Sequence, residues 1–181
     1  MAFTVEQQDG QGYIAGANAY ASDTDADTYF GDRGIVAWTG VSTVKQAALV
    51  RATAYLDARY RDRCQGSKAF PQQALAWPRR WVFDREVAIM GSPQGQAFPG
   101  GMGYPIYGIP QALRQACFEA ALIALSGDLM SASDRVAQLK SRMVGAIQEV
   151  YSGGPSLATY QLIDSLMAPL LMPAGRAKVS R

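Results

Sequence analysis

Apolar residues along this chain recur at helical spacing in several stretches and lose their period between them. In residues 44–60, Val44, Ala47, Ala48, Ala52, Tyr55, Leu56 and Tyr60 share one helical face. Lys45, Arg51, Asp57 and Arg61 occupy the other side. This predicts a helix opening at Ser42 or Thr43 and fading through Arg63, with Asp57 and Arg61 as an i,i+4 pair worth about 0.2–0.5 kcal/mol. A second long helix is predicted from Ile109-Pro110, where proline suits the first helical position, to Gly127. Its face of Leu113, Ala116, Cys117, Ala120, Ala121, Ala124 and Leu125 is mostly alanine, small enough to let the first helix pack closely in an antiparallel pair.

Shorter elements flank these two. Ser22 reads as the N-cap of a short helix that ends by Gly34, with Asp23, Asp25 and Asp27 favouring its positive end. A last helix is predicted from Ser156 or Thr159 to Leu171, with Leu157, Tyr160, Ile163, Leu166 and Met167 on its apolar side and Pro173 stopping it. Residues 131–152 fit two patterns. Val136, Leu139, Met143, Ile147 and Val150 keep helical spacing, whereas Gly145 and the run from Gln148 to Tyr151 fit the end of a hairpin. Residues 1–21, punctuated by Gly10, Gly12 and Gly16, read as an arm or a short edge strand.

Between the long helices, residues 64–108 hold no period. Prolines at 71, 78, 93, 99 and 105 and repeated glycines break it. So long a connection is either a functional loop or the site of short strands, for which Trp81-Val82-Phe83 and Ala88-Ile89-Met90 are the candidates. Phe70, Leu75, Trp77, Trp81 and Phe83 are expected to pack it onto the helices, leaving the Gly-rich tip around residues 91–104 more mobile. The predicted fold is therefore mainly α: a bundle of about four helices over residues 22–171 with an extended loop at 64–108, a short β-hairpin as an alternative within 131–152, an N-terminal arm (1–21) and a basic C-terminal tail (172–181).

Composition sharpens this picture. Charged residues are 18% of a 181-residue chain against 49% apolar, few for the surface of a free monomer, so part of the surface is expected to face other subunits. Residues 1–32 hold six acids (Glu6, Asp9, Asp23, Asp25, Asp27, Asp32) and no Lys or Arg. The remaining residues carry all 17 basic and 9 acidic side chains, a net +8. Complementary surfaces on neighbouring copies, closure within one chain, or a basic loop near DNA phosphates would each use that asymmetry. No apolar run is long enough to span a membrane, and the first residues do not form a signal peptide.

Candidate chemistry is mostly eliminated. The absence of histidine removes the commonest general base, the usual catalytic triads and most zinc sites. Asp23, Asp25 and Asp27 mimic a calcium loop, but position 12 from Asp23 is Gly34 rather than glutamate. The Gly100-Gly101-Met102-Gly103 run lacks the Lys and Ser/Thr of a phosphate loop. No catalytic residue, cofactor or metal site is expected, and the chain is read as a non-enzyme. Cys117 reads as a buried small hydrophobe; Cys64, after a charged stretch, reads as exposed; both are expected to be reduced in a cytosolic setting. The remaining feature is Trp77-Pro78-Arg79-Arg80-Trp81. Its aromatics suit base stacking and its arginines suit phosphates, or else the tryptophans bury and the arginines pair with Asp84, Glu86 or a neighbour.

Several runs together carry a resemblance. They are residues 15–22 leading into Ala26-Asp27 and Tyr29-Phe30; Ala47-Ala48-Leu49, Arg51-Ala52-Thr53 and Tyr55-Leu56-Asp57; Gln73, Leu75 and Trp77-Pro78-Arg79; and Ile109-Pro110, Leu113, Ala116 and Glu119-Ala120. Over about residues 12–171 the chain resembles a family of small tailed-phage proteins labelled DnaT-like single-stranded DNA-binding proteins, similar to head-to-tail connector (adaptor) proteins. The resemblance implies a helical adaptor at the head-to-tail junction of a virion, made in the host cytoplasm. Its copies would form a ring, typically of twelve, between the portal protein and a tail-side connector, stopper or tail protein, with duplex DNA in the lumen and no membrane. The alternative it implies is a single-stranded DNA-binding protein using the basic–aromatic 59–81 segment. For either role the candidate contacts are Arg59, Arg61, Arg63, Trp77, Arg79, Arg80, Trp81, Arg176, Lys178 and Arg181.

Overall fold

The computed structural model describes residues 2–84, 104–127, 129 and 160–172, together with the backbone of 141–144 and 147–150. Four α-helices lie among them: α1 (Asp23–Gly31), α2 (Ser42–Tyr60), α3 (Gln111–Ser126) and α4 (Gln161–Met167). Six short strands form three antiparallel pairs: β1 (Ser67–Lys68) with β2 (Arg79–Arg80), β3 (Phe83–Asp84) with β4 (Tyr104–Pro105), and β5 (Ser141–Val144) with β6 (Ile147–Val150). The chain is mainly α, with an irregular connection between its long helices.

The helix ends follow their local chemistry. Ser22 caps α1, its Oγ accepting from the Asp25 amide at 3.1 Å. The Ser42 hydroxyl donates to Asp23, fastening the start of α2 to the start of α1. Asp27 strengthens that junction by accepting from Lys45 Nζ at 2.8 Å and Trp38 Nε1 at 2.6 Å. The Lys45 bond holds the Asp27 carboxyl below its ordinary pKa. Pro110 is the N-cap of α3 rather than its first residue, and its carbonyl accepts the Arg114 amide at 3.1 Å. α4 tightens into a 3₁₀ turn over Ala168–Leu170, where Pro169 has no N–H to continue an α-helical ladder. The part of the last predicted helix before residue 160 lies outside the described residues.

α2 and α3 form the antiparallel pair expected of them. Val44 lies beside Leu122 and Leu125, and midway along the pair Thr53 meets Cys117, Oγ1 to Sγ 3.6 Å. Buried alanines at 48, 52, 116, 120, 121 and 124 allow that approach. The predicted α2 stripe is displaced at its start: Val44 and Ala47 are exposed, while Leu49, Thr53 and Asp57 are buried. Packing of α1, α3 and residues 17–21 rotates the buried face away from the simple apolar pattern. α4 covers the other end, where the Asp164 carboxylate accepts from Tyr60 and, at 3.3 Å, from Arg59.

Three expectations need correction or completion. Cys64 is buried, its backbone bridged to Leu171, despite the charged run before it. The 1–21 segment is tied down. Val5 bridges Ala19, Asn18 Oδ1 accepts the Thr4 amide at 2.9 Å, and Tyr20 and Ala21 are fully buried. Within 131–152 the hairpin prevails over the helix, with Met143 opposite Gln148 and Val144 opposite Ile147. Val144, Ile147 and Val150 favour strand, and a glycine between the runs penalises helix.

Candidate nucleic-acid interface

The 64–84 segment is organised by polar groups that the interior holds in place. Asp57, on the inner face of α2, receives the Tyr20 hydroxyl on Oδ1 and the Ala76 amide on Oδ2 at 2.9 Å. Arg61 donates to the same Oδ2 at 3.4 Å, so the predicted i,i+4 pair forms, with its acid inside the protein. Burial first, and then Asp57, push the Tyr20 hydroxyl well above its ordinary pKa, so it stays a donor. Tyr20 Oη in turn accepts the Trp77 amide at 3.3 Å.

Next along the chain, Arg79 turns inward. Its Nε donates to the Gln65 carbonyl at 2.7 Å, one Nη to Gly66 at 2.8 Å and the other to Ala76 at 3.3 Å. A planar fork of donors suits three fixed carbonyls, which a lysine could not satisfy together. Gln73 adds bonds from its side-chain amide to the Leu75 carbonyl at 2.9 Å and the Pro78 carbonyl at 3.0 Å. Gly66 is required beside them. Its φ is +64°, and an added Cβ would lie 1.9 Å from the Arg80 carbonyl oxygen.

This scaffold projects one corner outward. Register in the β1–β2 pair sets Ser67 opposite Arg80, and the β3–β4 pair sets Phe83 opposite Pro105. Trp81 joins the two ribbons at φ +66°, a left-handed conformation that side chains other than glycine rarely adopt, and it is 75% exposed. Arg80 beside it is exposed and lies over the Phe70 ring at 5.7 Å. A cleft of about 360 Å³ opens here, lined by Arg80, Trp81, Phe83, Pro105, Ile106 and Tyr107 among others. Tyr104 and Tyr107 are exposed as well.

The candidate contacts thus separate. Trp77 and Arg79 are buried and present no surface. Arg59 is held by Asp164 and Tyr60, and Arg63 stacks over the Tyr60 ring at 6.0 Å. Arg61 keeps half of its side chain exposed next to Asp57. Arg80 and Trp81 come together at the surface, whereas Trp81 was expected to pack on the helices. Arg176, Lys178 and Arg181, like the strand candidate at 88–90, lie outside the described residues. Sequence reasoning missed Tyr107, which lines the same cleft as Trp81, and Tyr104, exposed opposite Asp84 in the β3–β4 pair. It also missed Asp57 as an interior acceptor.

These features define a small helical protein with a surface corner of exposed aromatics and an arginine, a chemistry compatible with nucleic acid. The chain belongs to the family described as Putative DnaT-like ssDNA binding protein, whose sequence model matches residues 1–181. Neither a curated protein nor a solved structure matches it.

Proposed function

We propose that the chain binds single-stranded DNA at the Trp81 corner, as a binding protein without turnover. The observation that carries this reading is Trp81 itself, a large aromatic held in the open in a backbone conformation that glycine would adopt more easily. Trp81, Tyr104 and Tyr107 offer faces on which unpaired bases stack, and Arg80 supplies a phosphate contact. Stacking does not discriminate strongly among bases, so binding is tolerant of sequence. The family description points the same way. Fluorescence anisotropy with a labelled oligo-dT at several salt concentrations tests it. Trp81→Ala weakens binding with the fold retained, and Arg80→Ala lowers the salt slope by about 0.7. Equal affinity of the wild type and Trp81→Ala would reject the site.

A second reading is the head-to-tail connector: a homo-oligomeric ring, dodecameric by resemblance, between portal and tail components around duplex DNA. One observation favours it. A separate apolar patch is exposed where α2 begins, at Val36, Val41 and Val44. Two unlike exposed patches on one small chain suit a heterologous interface, which can close into a ring. Electron microscopy of a capsid vertex carrying the protein tests this reading, and a vertex without a ring of this chain would remove it.

A further inference from the structure

The corner where α2 begins is acidic and apolar, and the residues beyond Met172 are basic. Val36 is 85% exposed and Val41 67%. Beside them lies a pocket of about 320 Å³ lined by Ala37, Val44, Leu122 and Leu125 among others. Asp23 sits at this corner through its bond from Ser42. Asp25 is exposed in the same first turn of α1, and Asp32, also exposed, ends that helix close to Val36 in the chain. Asp27 is already matched by Lys45. The sequence after Met172 carries Arg176, Lys178, Val179 and Arg181 and no acid.

Within one chain the two meet only with the segment stretched almost to its full length. The Met172 amide donates to the Arg63 carbonyl at 2.8 Å, so the chain leaves from the far end of α2. A helical rise of 1.5 Å per residue separates Val44 from Tyr60 by about 24 Å. An extended chain covers at most about 3.5 Å per residue, so from Met172 Arg176 reaches about 14 Å and Lys178 about 21 Å. Val179 reaches about 25 Å and enters the pocket of its own copy only if the segment is drawn almost straight, whereas a neighbouring copy imposes no such extension.

We propose that the 173–181 segment of one copy docks on the α1–α2 corner of the next. Val179 enters the pocket beside Val44 and Leu125, and the flanking cations face Asp23, Asp25 and Asp32. Donor and acceptor surfaces differ, so the contact is heterologous and repeats from copy to copy. It is independent of nucleic-acid binding at Trp81, and it holds whether or not the assembly docks on a portal.

The test is the mass of the full-length protein over a concentration series, by sedimentation or mass photometry. The wild type self-associates, and R176E/K178E/R181E weakens association at least about tenfold. D25K/D32K, at two exposed positions that leave the Ser22 cap and Asp23 intact, does the same with an unchanged melting curve. Mixing the two charge-reversed proteins restores association, because each then supplies the complement of the other. A wild type that stays monomeric, charge variants that associate as well as wild type, or a mixture that fails to pair would each overturn the proposal. V44E adds a check free of tail chemistry, since it blocks the pocket and must also weaken association. The oligo-dT measurement stays unaffected by V44E, which separates failure here from failure at Trp81.

Discussion

The Arg79 guanidinium donates through Nε to the Gln65 carbonyl at 2.7 Å, placing inside the fold a cation whose neighbours in sequence suggest a DNA contact. Its other two donors reach Gly66 and Ala76, so one side chain ties the start of the inter-helix segment to the turn before Pro78. Burial lowers the Arg79 pKa, yet an arginine stays charged at any physiological pH. Arg79→Ala leaves these carbonyls without their charged donor and is expected to cost about 2–4 kcal/mol in urea unfolding. Arg79→Lys recovers only part, because an ammonium cannot span all three acceptors. A loss below 0.5 kcal/mol for Arg79→Ala, roughly what an ordinary surface substitution gives, would contradict the buried fork.

Gly66 makes a sharper demand on the same corner. A methyl group there meets the Arg80 carbonyl at 1.9 Å, and φ +64° disfavours any side chain. Gly66→Ala is expected to destabilise by more than about 2 kcal/mol and to displace the Trp81 corner. A lower melting temperature together with altered tryptophan emission is the combined readout. Gly16→Ala provides the control. Its φ is also positive, but nothing lies near its added Cβ, so its cost is limited to the backbone term of about 1 kcal/mol.

Much of the framework was legible from the amino acids. Ser22 announces α1, the alanine-rich 113–124 face announces close packing against α2, and Gly127 marks where α3 stops. The corner was not legible, because its parts come from β1–β2, β3–β4 and the turn at Trp81, which local periodicity does not connect. Nor could the Trp77-Pro78-Arg79-Arg80-Trp81 run reveal which members face inward. Tyr20 and Gln65, distant in sequence, supply the acceptors that draw Trp77 and Arg79 inside, while the Trp81 turn leaves the last tryptophan out. Asp57 shows the same limit, since its partners Tyr20 and Ala76 belong to other segments.

Alkaline pH should weaken the fold through its buried tyrosines. Burial, followed by the hydrogen bond to Glu119, pushes the Tyr29 hydroxyl up to about 12. Tyr20, Tyr55 and Tyr60 are also raised, in each case first by burial. An unfolded tyrosine titrates near 10. Below about pH 10 both states keep the proton and the stabilisation is intact. Between about pH 10 and 12 the unfolded chain releases its protons first, so stability falls as pH rises through the folded values. Urea midpoints across that range should decline, and Tyr29→Phe should decline less steeply. A flat profile would mean that these hydroxyls reach solvent.

Cys117 should be inert for a related reason. Its thiol lies between Thr53 and Leu49 with no exposed surface, and burial pushes its pKa up to about 12. Cys64 is buried as well. A disulfide exchange reagent at about pH 8 should therefore label neither thiol in the native protein and both after denaturation, with a native labelling rate that tracks unfolding. Rapid labelling of Cys117 in the folded state would place the α2–α3 contact elsewhere.

Trp81 allows structural cost and functional use to be separated in one pair of variants. Trp81→Ala removes the ring and keeps a side chain at φ +66°, so the local strain remains. Trp81→Gly removes both. Relief of left-handed strain is worth about 1–2 kcal/mol, and the extra freedom of glycine in the unfolded chain takes back about 0.5–1. Trp81→Gly should therefore be as stable as Trp81→Ala or up to about 1.5 kcal/mol more stable. Oligo-dT binding should respond to the ring alone, with both variants losing about 1–3 kcal/mol, or roughly 5- to 150-fold in Kd. If the ring were an ordinary packing residue, Trp81→Gly would lose stability beyond Trp81→Ala, and neither would change DNA affinity at constant salt. A residue that costs stability at its position while supporting binding is what an exposed aromatic in a glycine conformation should be.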